Sequence, residues 1–393
     1  MTRPPSERTR LIRSATRRPH EGRRPVNPPV ERASTLLNPR TAAMTDPALG
    51  PVYGLEGLTV QHELRAAVAE LEGAANAWIT PSGLSAVTIP LLALTRPGDE
   101  ILATGAAYGP TREFLDTFLA ERGVSVRYHP PRIEPADLLD LIGPATRLLL
   151  IESPASLTFE MIDVAAVADG ARARGVLTVM DNTWGAGLLF RPLAHGVDVS
   201  VQALTKYAAG HSDLLMGAIA AADPELDARL GAAIARMGWH VAPDDAYLAL
   251  RGLRTLPLRL AEHGASALKV ARWLADRPET AQVLYPPLPG APDHEMWARD
   301  YAGGCGLMGV VLNGGDARAA RALLDSLQLF GLGFSWGGYE SLATFETPQL
   351  GRRPVPADLP GPLIRLHIGL EHPEDLIADL EQALAVFRTV GAE

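Results

Sequence analysis

The sequence predicts an α/β protein with a mostly parallel central sheet covered by helices, followed by a smaller C-terminal α/β domain. Three observations carry this reading. Between residues 100 and 205 short apolar runs alternate with helix-periodic segments, the pattern of parallel strands joined by crossover helices. One of those runs, Arg147-Leu-Leu-Leu-Ile-Glu152, is apolar without alternation, as a strand buried on both faces must be. Beyond about residue 250 the texture changes, and two proline-rich loops, 285–292 and 351–362, separate the remaining elements.

Taken in order, residues 1 to about 50 lack a sustained period and hold many prolines. They read as a disordered tail and an extended N-terminal arm spanning 1–57. The large domain is expected over 58–250 and the small domain over 251–393. A helix opens the large domain at 60–71, where Leu64, Val68 and Leu71 share one face and Gly73 stops it. The uncharged run 73–95 is long enough for a membrane span, but Asn76, Pro81 and Pro90 make it a buried loop and helix instead. Strands follow at 101–103, 124–128, 147–152, 176–181 and 198–205, with helices at 111–121 and 164–174. In the small domain, helices are expected at 264–275, 317–327 and 373–387, and strands at 309–312 and 363–368.

Composition narrows the function. The 393 residues carry a net charge of −9, so the surface as a whole should attract neither nucleic acid nor an anionic membrane. A single cysteine, Cys305, rules out an internal disulfide framework and fits a reducing cytoplasm. The first 24 residues are arginine-rich and lack the apolar core of a signal peptide. Of the 36 basic residues, only Lys206 and Lys269 are lysines. A lysine kept against that bias is a candidate for chemistry that arginine cannot perform. Lys269 sits beside Leu268 and near Trp273 in an amphipathic pattern and reads as a solvated charge.

Two familiar patterns are discounted. Gly304-Cys-Gly-Leu-Met-Gly309 satisfies G-x-G-x-x-G, but a strand-like segment follows it where a dinucleotide site needs a helix. Gly333-Phe-Ser-Trp-Gly337 satisfies the hydrolase elbow, and Ser335, Asp358 and His367 even fall in hydrolase order. No large parallel sheet leads into that serine, so it reads as a glycine-rich loop. No metal site is expected, because no H-E-x-x-H or thiolate cluster exists.

The strong constellation lies between 80 and 210. Pro81-Ser-Gly-Leu-Ser-Ala turns into a helix whose first N–H groups can hold a phosphate. Tyr108 follows a strand in a loop suited to stacking an aromatic ring. Asp181 ends one strand, and Lys206 follows another. Ligands of such sheets sit at the strands' carboxyl ends, so both face one crevice. This pair suits pyridoxal 5'-phosphate: lysine condenses with its aldehyde, and the aspartate keeps the pyridine nitrogen protonated. A buried ion pair is the plainer alternative.

The sequence resembles the Cys/Met-metabolism family of pyridoxal-phosphate enzymes, most closely its bacterial cystathionine β-lyase branch. Among the segments that carry the resemblance are Glu152-Ser-Pro154, Asp181-Asn-Thr-Trp184, Thr205-Lys-Tyr207, Gly210-His-Ser-Asp213, Ser335-Trp-Gly-Gly-Tyr-Glu-Ser341 and Leu363-Ile-Arg-Leu-His-Ile-Gly-Leu-Glu371. The resemblance implies a fold type I aminotransferase-like large domain. It puts Lys206 at the Schiff-base position, Asp181 at the pyridine nitrogen, Tyr108 on the ring, and Gly83, Leu84 and Thr205 at the phosphate. It puts Arg365 on the substrate α-carboxylate, beside Ser335 and Trp336. It makes Tyr53 a catalytic and substrate-binding residue supplied from an adjacent subunit of a homodimer or homotetramer. Leu55 and Glu56 stand where the family carries a phosphate-binding arginine, and Phe334 stands where close relatives often carry tyrosine. The implied reaction is β-cleavage of L-cystathionine or a related cysteine S-conjugate to homocysteine or another thiol, pyruvate and ammonia. The alternatives are a γ-specific member of the family and a weakly catalytic, cofactor-binding regulatory protein.

Overall fold

The computed structural model describes residues 5–13, 23 and 25–391, and parts of the expected basic tail, at 1–4, 14–22 and 24, lie outside them. Where a loose tail is expected, Glu7–Arg13 instead form a short helix. Leu11 is 3% exposed within the core, and Arg10 bonds Glu70 at 2.6 Å on the helix Thr59–Glu72. That helix ends as the sequence predicts, on Gly73 in the left-handed conformation.

The described residues hold two sheets. The first comprises β1 (Ala77–Thr80), β2 (Glu100–Thr104), β3 (Ser125–His129), β4 (Thr146–Glu152), β5 (Leu177–Asp181), β6 (Val199–Ala203) and β7 (Gly217–Ala221). Their order is β1-β7-β6-β5-β4-β2-β3. The pairs from β3 across to β6 are parallel, while β7 is antiparallel to both β6 and β1. The apolar run of β4 is divided between two cores. Leu148 and Leu150 pack on one face, and Leu149 and Ile151 on the other, because successive side chains of a strand point oppositely. Helices cover both faces, which is why Leu148 to Ile151 include no polar residue.

The second sheet comprises β8 (Thr280–Leu284), β9 (Leu307–Leu312), β10 (Gly331–Leu332), β11 (Leu342–Phe345) and β12 (Leu363–His367), in the order β10-β11-β12-β9-β8. The G-x-G-x-x-G stretch at 304–309 runs straight into β9, not into a helix. No helix among the described residues is long and apolar enough to cross a membrane.

Several elements differ from expectation. The segment expected as one helix over 111–121 is an α-helix Gly109–Phe114, a π-helical turn Leu115–Leu119 and a 3-10 turn Ala120–Arg122. The helix expected from 264 starts at Leu256, with Pro257 in its first turn, where a missing N–H costs nothing. Strands β1 and β7 and the helices Pro224–Met237 and Pro243–Leu253 join those expected from the sequence.

The helix Leu256–Ala275 also braces the segment that carries Lys206. Buried Arg259 donates to the carbonyls of Tyr207 at 2.8 Å and Gly252 at 2.9 Å. Burial alone lowers its pKa to about 10, which leaves it charged at neutral pH. Arg259→Met would leave the Tyr207 carbonyl without its donor, while the Thr255 N–H still reaches the Gly252 carbonyl at 3.0 Å. Urea unfolding should then report a loss of about 1–3 kcal/mol, the cost of one orphaned buried acceptor. An unchanged unfolding midpoint would contradict the bracing role.

Candidate active site

β1 runs in the same direction as β6, so the chain leaves both at one edge of the sheet. The helix Gly83–Leu94 starts at that edge, capped by Ser82, whose hydroxyl accepts the Ser85 N–H. Glycine is required at its first position: a Cβ on Gly83 would lie 2.4 Å from Cβ of Ala203, the last residue of β6. The helix N-terminus is thereby brought against the turn that carries Thr205 and Lys206. Thr205 is pinned there, because its hydroxyl donates to the Met216 carbonyl at 3.1 Å and accepts the Met216 N–H at 2.9 Å.

Asp181 closes β5 on the same edge. Thr183 donates both its N–H, at 3.0 Å, and its hydroxyl, at 2.6 Å, to Oδ1, and the hydroxyl in turn accepts the Ala203 N–H at 2.9 Å. Burial raises the Asp181 pKa, opposed by the Thr183 hydrogen bonds and by Lys206. Beside it, Glu152 closes β4, directly opposite Asp181 in the parallel register. Tyr108 ends the loop after β2, at the N-cap of the helix Gly109–Phe114, and its N–H donates to Glu152 Oε2 at 2.7 Å.

The second sheet supplies the opposite wall. Lys206 Nζ donates to Ser335 Oγ at 2.6 Å and lies 5.2 Å from the centre of the Trp336 ring. Burial and Arg365 lower the lysine to about 8, against the pull of Asp181. Ser335 has φ +80°, and Gly337, two residues on, has φ +87°. A Cβ on Gly337 would reach within 2.8 Å of the Lys206 main chain, so this loop lies directly on the lysine. Arg365 projects from β12 with its Nε 3.4 Å from Oε1 of fully buried Glu346 and its Nη2 3.4 Å from the Ser335 carbonyl. The hydrolase spacing does not assemble a triad. Ser335 is engaged by Lys206, and His367 Nε2 accepts the Gly337 N–H at 3.1 Å. Burial pushes His367 down to about 3, so it stays neutral.

These groups surround one cavity of about 1130 Å³. Gly83, Leu84, Tyr108, Asp181, Thr205, Lys206, Ser335, Trp336 and Arg365 all line it, as does exposed Phe334. Tyr53 does not: it lies 52% exposed on the arm, bridged to Thr35, with Leu55 and Glu56 beside it. Lys269 pairs with Glu374 on the surface, both half-exposed. Three further site residues escaped the sequence reading as such: Glu152, Thr183 and Glu346. A charged residue at the end of a purely apolar strand was the one available signal, and it applied to Glu152.

The site fits pyridoxal phosphate on its own geometry. It offers a glycine-tightened helix start for a phosphate, a half-buried carboxylate for a ring nitrogen and a partly neutral amine. Among the described residues no cluster of His, Cys, Asp and Glu could hold a metal ion.

Comparison with known proteins agrees. The model of the family described as "Cys/Met metabolism PLP-dependent enzyme" matches residues 8–385. The cystathionine beta-lyase of Bordetella avium is 42% identical over 94% of this chain and 95% of its own length, and is one of several beta-lyases that match. The L-alanine/L-glutamate racemase of Wolbachia pipientis wMel is 38% identical, covering 92% of each chain. Among solved structures, cystathionine gamma synthase from Xanthomonas oryzae pv. oryzae in complex with cystathionine superposes with a TM-score of 0.91. It is 32% identical and covers 99% of this chain and 100% of that one.

Proposed function

This chain belongs to the Cys/Met metabolism family of pyridoxal-phosphate-dependent enzymes, and from that premise we propose that it is a carbon–sulfur β-lyase. Its substrate would be L-cystathionine or a related cysteine S-conjugate, cleaved to a thiol, pyruvate and ammonia. The observation that carries the reading is Lys206 Nζ held 2.6 Å from Ser335 Oγ in a cavity shared with Asp181 and Arg365.

Pyridoxal phosphate, when bound, supplies an aldehyde for amines and a ring that withdraws electrons from Cα. The N–H groups of Gly83 and Leu84, with the Thr205 hydroxyl, would hold the phosphate at the positive end of the helix. Tyr108 would pack on the ring, and Asp181 would hold a proton on the ring nitrogen. The Arg365 fork receives the substrate α-carboxylate. Lys206, lowered to about 8, removes the Cα proton as a neutral amine and returns a proton to the departing thiolate sulfur. Ser335 and Trp336 keep the amine aimed between Cα and sulfur. The cavity also carries Glu113, Asp116, Arg321 and Arg352, charges of both signs that suit the second amino-acid end of cystathionine.

The site is completed by a second copy in this reading, as a homodimer or homotetramer. Tyr53 stands exposed on the arm beside exposed Leu49, Val52 and Leu55, a surface suited to a neighbouring subunit. There Tyr53 would face the neighbour's cavity and serve as a further acid or a substrate contact. Buried, unpaired Cys305 suits the reducing cytoplasm.

The family's γ-specific and racemising members would share the Lys206 step, so products decide. The loaded enzyme should release pyruvate from L-cystathionine; 2-oxobutyrate in its place would overturn the β-assignment. A related result is expected for Arg365→Lys, where a point charge replaces a planar fork. kcat/KM should fall about 10- to 100-fold, mostly through KM, as expected for a lost charge-assisted contact. An unchanged kcat/KM would remove Arg365 from the substrate site.

A further inference from the structure

Glu152 is the one ionisable group beside Asp181 to which the scheme above gives no task. The two close neighbouring parallel strands in direct register, and adjacent strands lie about 5 Å apart. Ionising both carboxylates there would set two negative charges side by side in a buried site. Their surroundings are unequal. Asp181 receives two hydrogen bonds from Thr183 and the attraction of Lys206. Glu152 receives one, from the Tyr108 backbone N–H at 2.7 Å. The cations that act on Glu152 are Arg353 and Arg112, and both are occupied elsewhere. Arg353 donates to Thr158 and to the Ser156 carbonyl, and Arg112 to the carbonyls of Ala107 and Arg352. The unequal donors favour the charge on Asp181 over the charge on Glu152.

We propose that Glu152 is a positioning residue that works as a neutral hydrogen-bond acceptor. Its carboxyl fixes the Tyr108 main chain, and with it the tilt of the phenol against the cofactor ring. Burial and the neighbouring Asp181 both push the Glu152 pKa well above the usual carboxylate range, in the direction this role needs. The proposal rests on the cofactor and on Tyr108 as its stacking residue, not on the choice of β-elimination, so it can fail while that reading stands.

The test compares Glu152→Gln with Glu152→Ala by titrating apo-protein with pyridoxal phosphate and recording visible circular dichroism of the bound cofactor. Glutamine keeps a carbonyl acceptor and is neutral at every pH. It should leave affinity within about two-fold of wild type and the dichroic band unchanged. Alanine should weaken binding about ten-fold, the scale of one lost hydrogen bond, and diminish the band. A Glu152→Gln variant as impaired as Glu152→Ala would overturn the neutral role. Wild-type affinity and dichroism in Glu152→Ala would overturn the positioning role.

A double-mutant cycle separates positioning from general destabilisation. In a Tyr108→Ala background, Glu152→Ala should cost little further affinity, and full additivity would contradict the proposal. If Glu152→Ala does not fold, Glu152→Met takes its place in both comparisons, since it fills the volume without a carbonyl.

Discussion

Lys206→Arg should abolish turnover, by about three decades or more, while the protein folds and still binds pyridoxal phosphate weakly. Arginine preserves the positive charge, so a mere ion pair with Asp181 would survive the change. What it removes is an amine that can be neutral near pH 8. A general acid–base group contributes roughly 10²–10⁴-fold, and in the proposed role the same nitrogen would also capture the cofactor covalently. Borohydride treatment of the loaded wild type should fix the cofactor to Lys206 and leave Lys269, paired with Glu374, unmodified. The rate of capture by apo-protein should rise with pH and level off above about 8. Burial and Arg365 disfavour the ammonium, and only the neutral amine attacks an aldehyde. An adduct on Lys269, or turnover by Lys206→Arg, would reject the assignment.

Asp181→Asn should be the second most damaging change. The amide can keep the Thr183 hydrogen bonds through its oxygen, so the wall of the site should stand. The negative charge is lost, and with it the reason for a ring nitrogen to stay protonated. kcat should fall about 100-fold with modest change in KM, the pattern of an interaction made mainly in the transition state. Near-normal kcat would mean that the ring nitrogen has another partner.

Much of this site could be read from the chain because its chemistry sits at element ends. Lys206 stood out against a surface built from arginine. β4 was legible because burial on both faces removes every polar residue from the run. β7 was not: Gly217-Ala-Ile-Ala-Ala is small and poor in β-formers, and it is a strand because β6 and β1 flank it. β1 is only four residues long inside an uncharged stretch. The helix Pro224–Met237 carries plain local signals, Asp223 as cap, Pro224 in the first turn and Gly238 after the end, and was legible in the chain.

Pairings between distant residues could not be read in the same way. Lys206 meets Ser335 across 129 positions, and Glu152 meets Tyr108 across 44. Nothing in local pattern announces either, because each depends on how the second sheet, or the next strand, closes over the first. The arm is a different case. Tyr53 belongs to a site by resemblance, yet within one chain it is exposed and does not line that chain's cavity.

Lys206 is expected to direct cleavage of the bond between sulfur and the β-carbon of the cysteine half. The loaded enzyme can be given L-cystathionine carrying ¹³C at that β-carbon and followed by NMR. The label should appear in the methyl group of pyruvate, with one homocysteine released per pyruvate. Label recovered in free cysteine would mean cleavage on the γ side, and label retained in epimerised cystathionine would mean racemisation; either result would contradict the account.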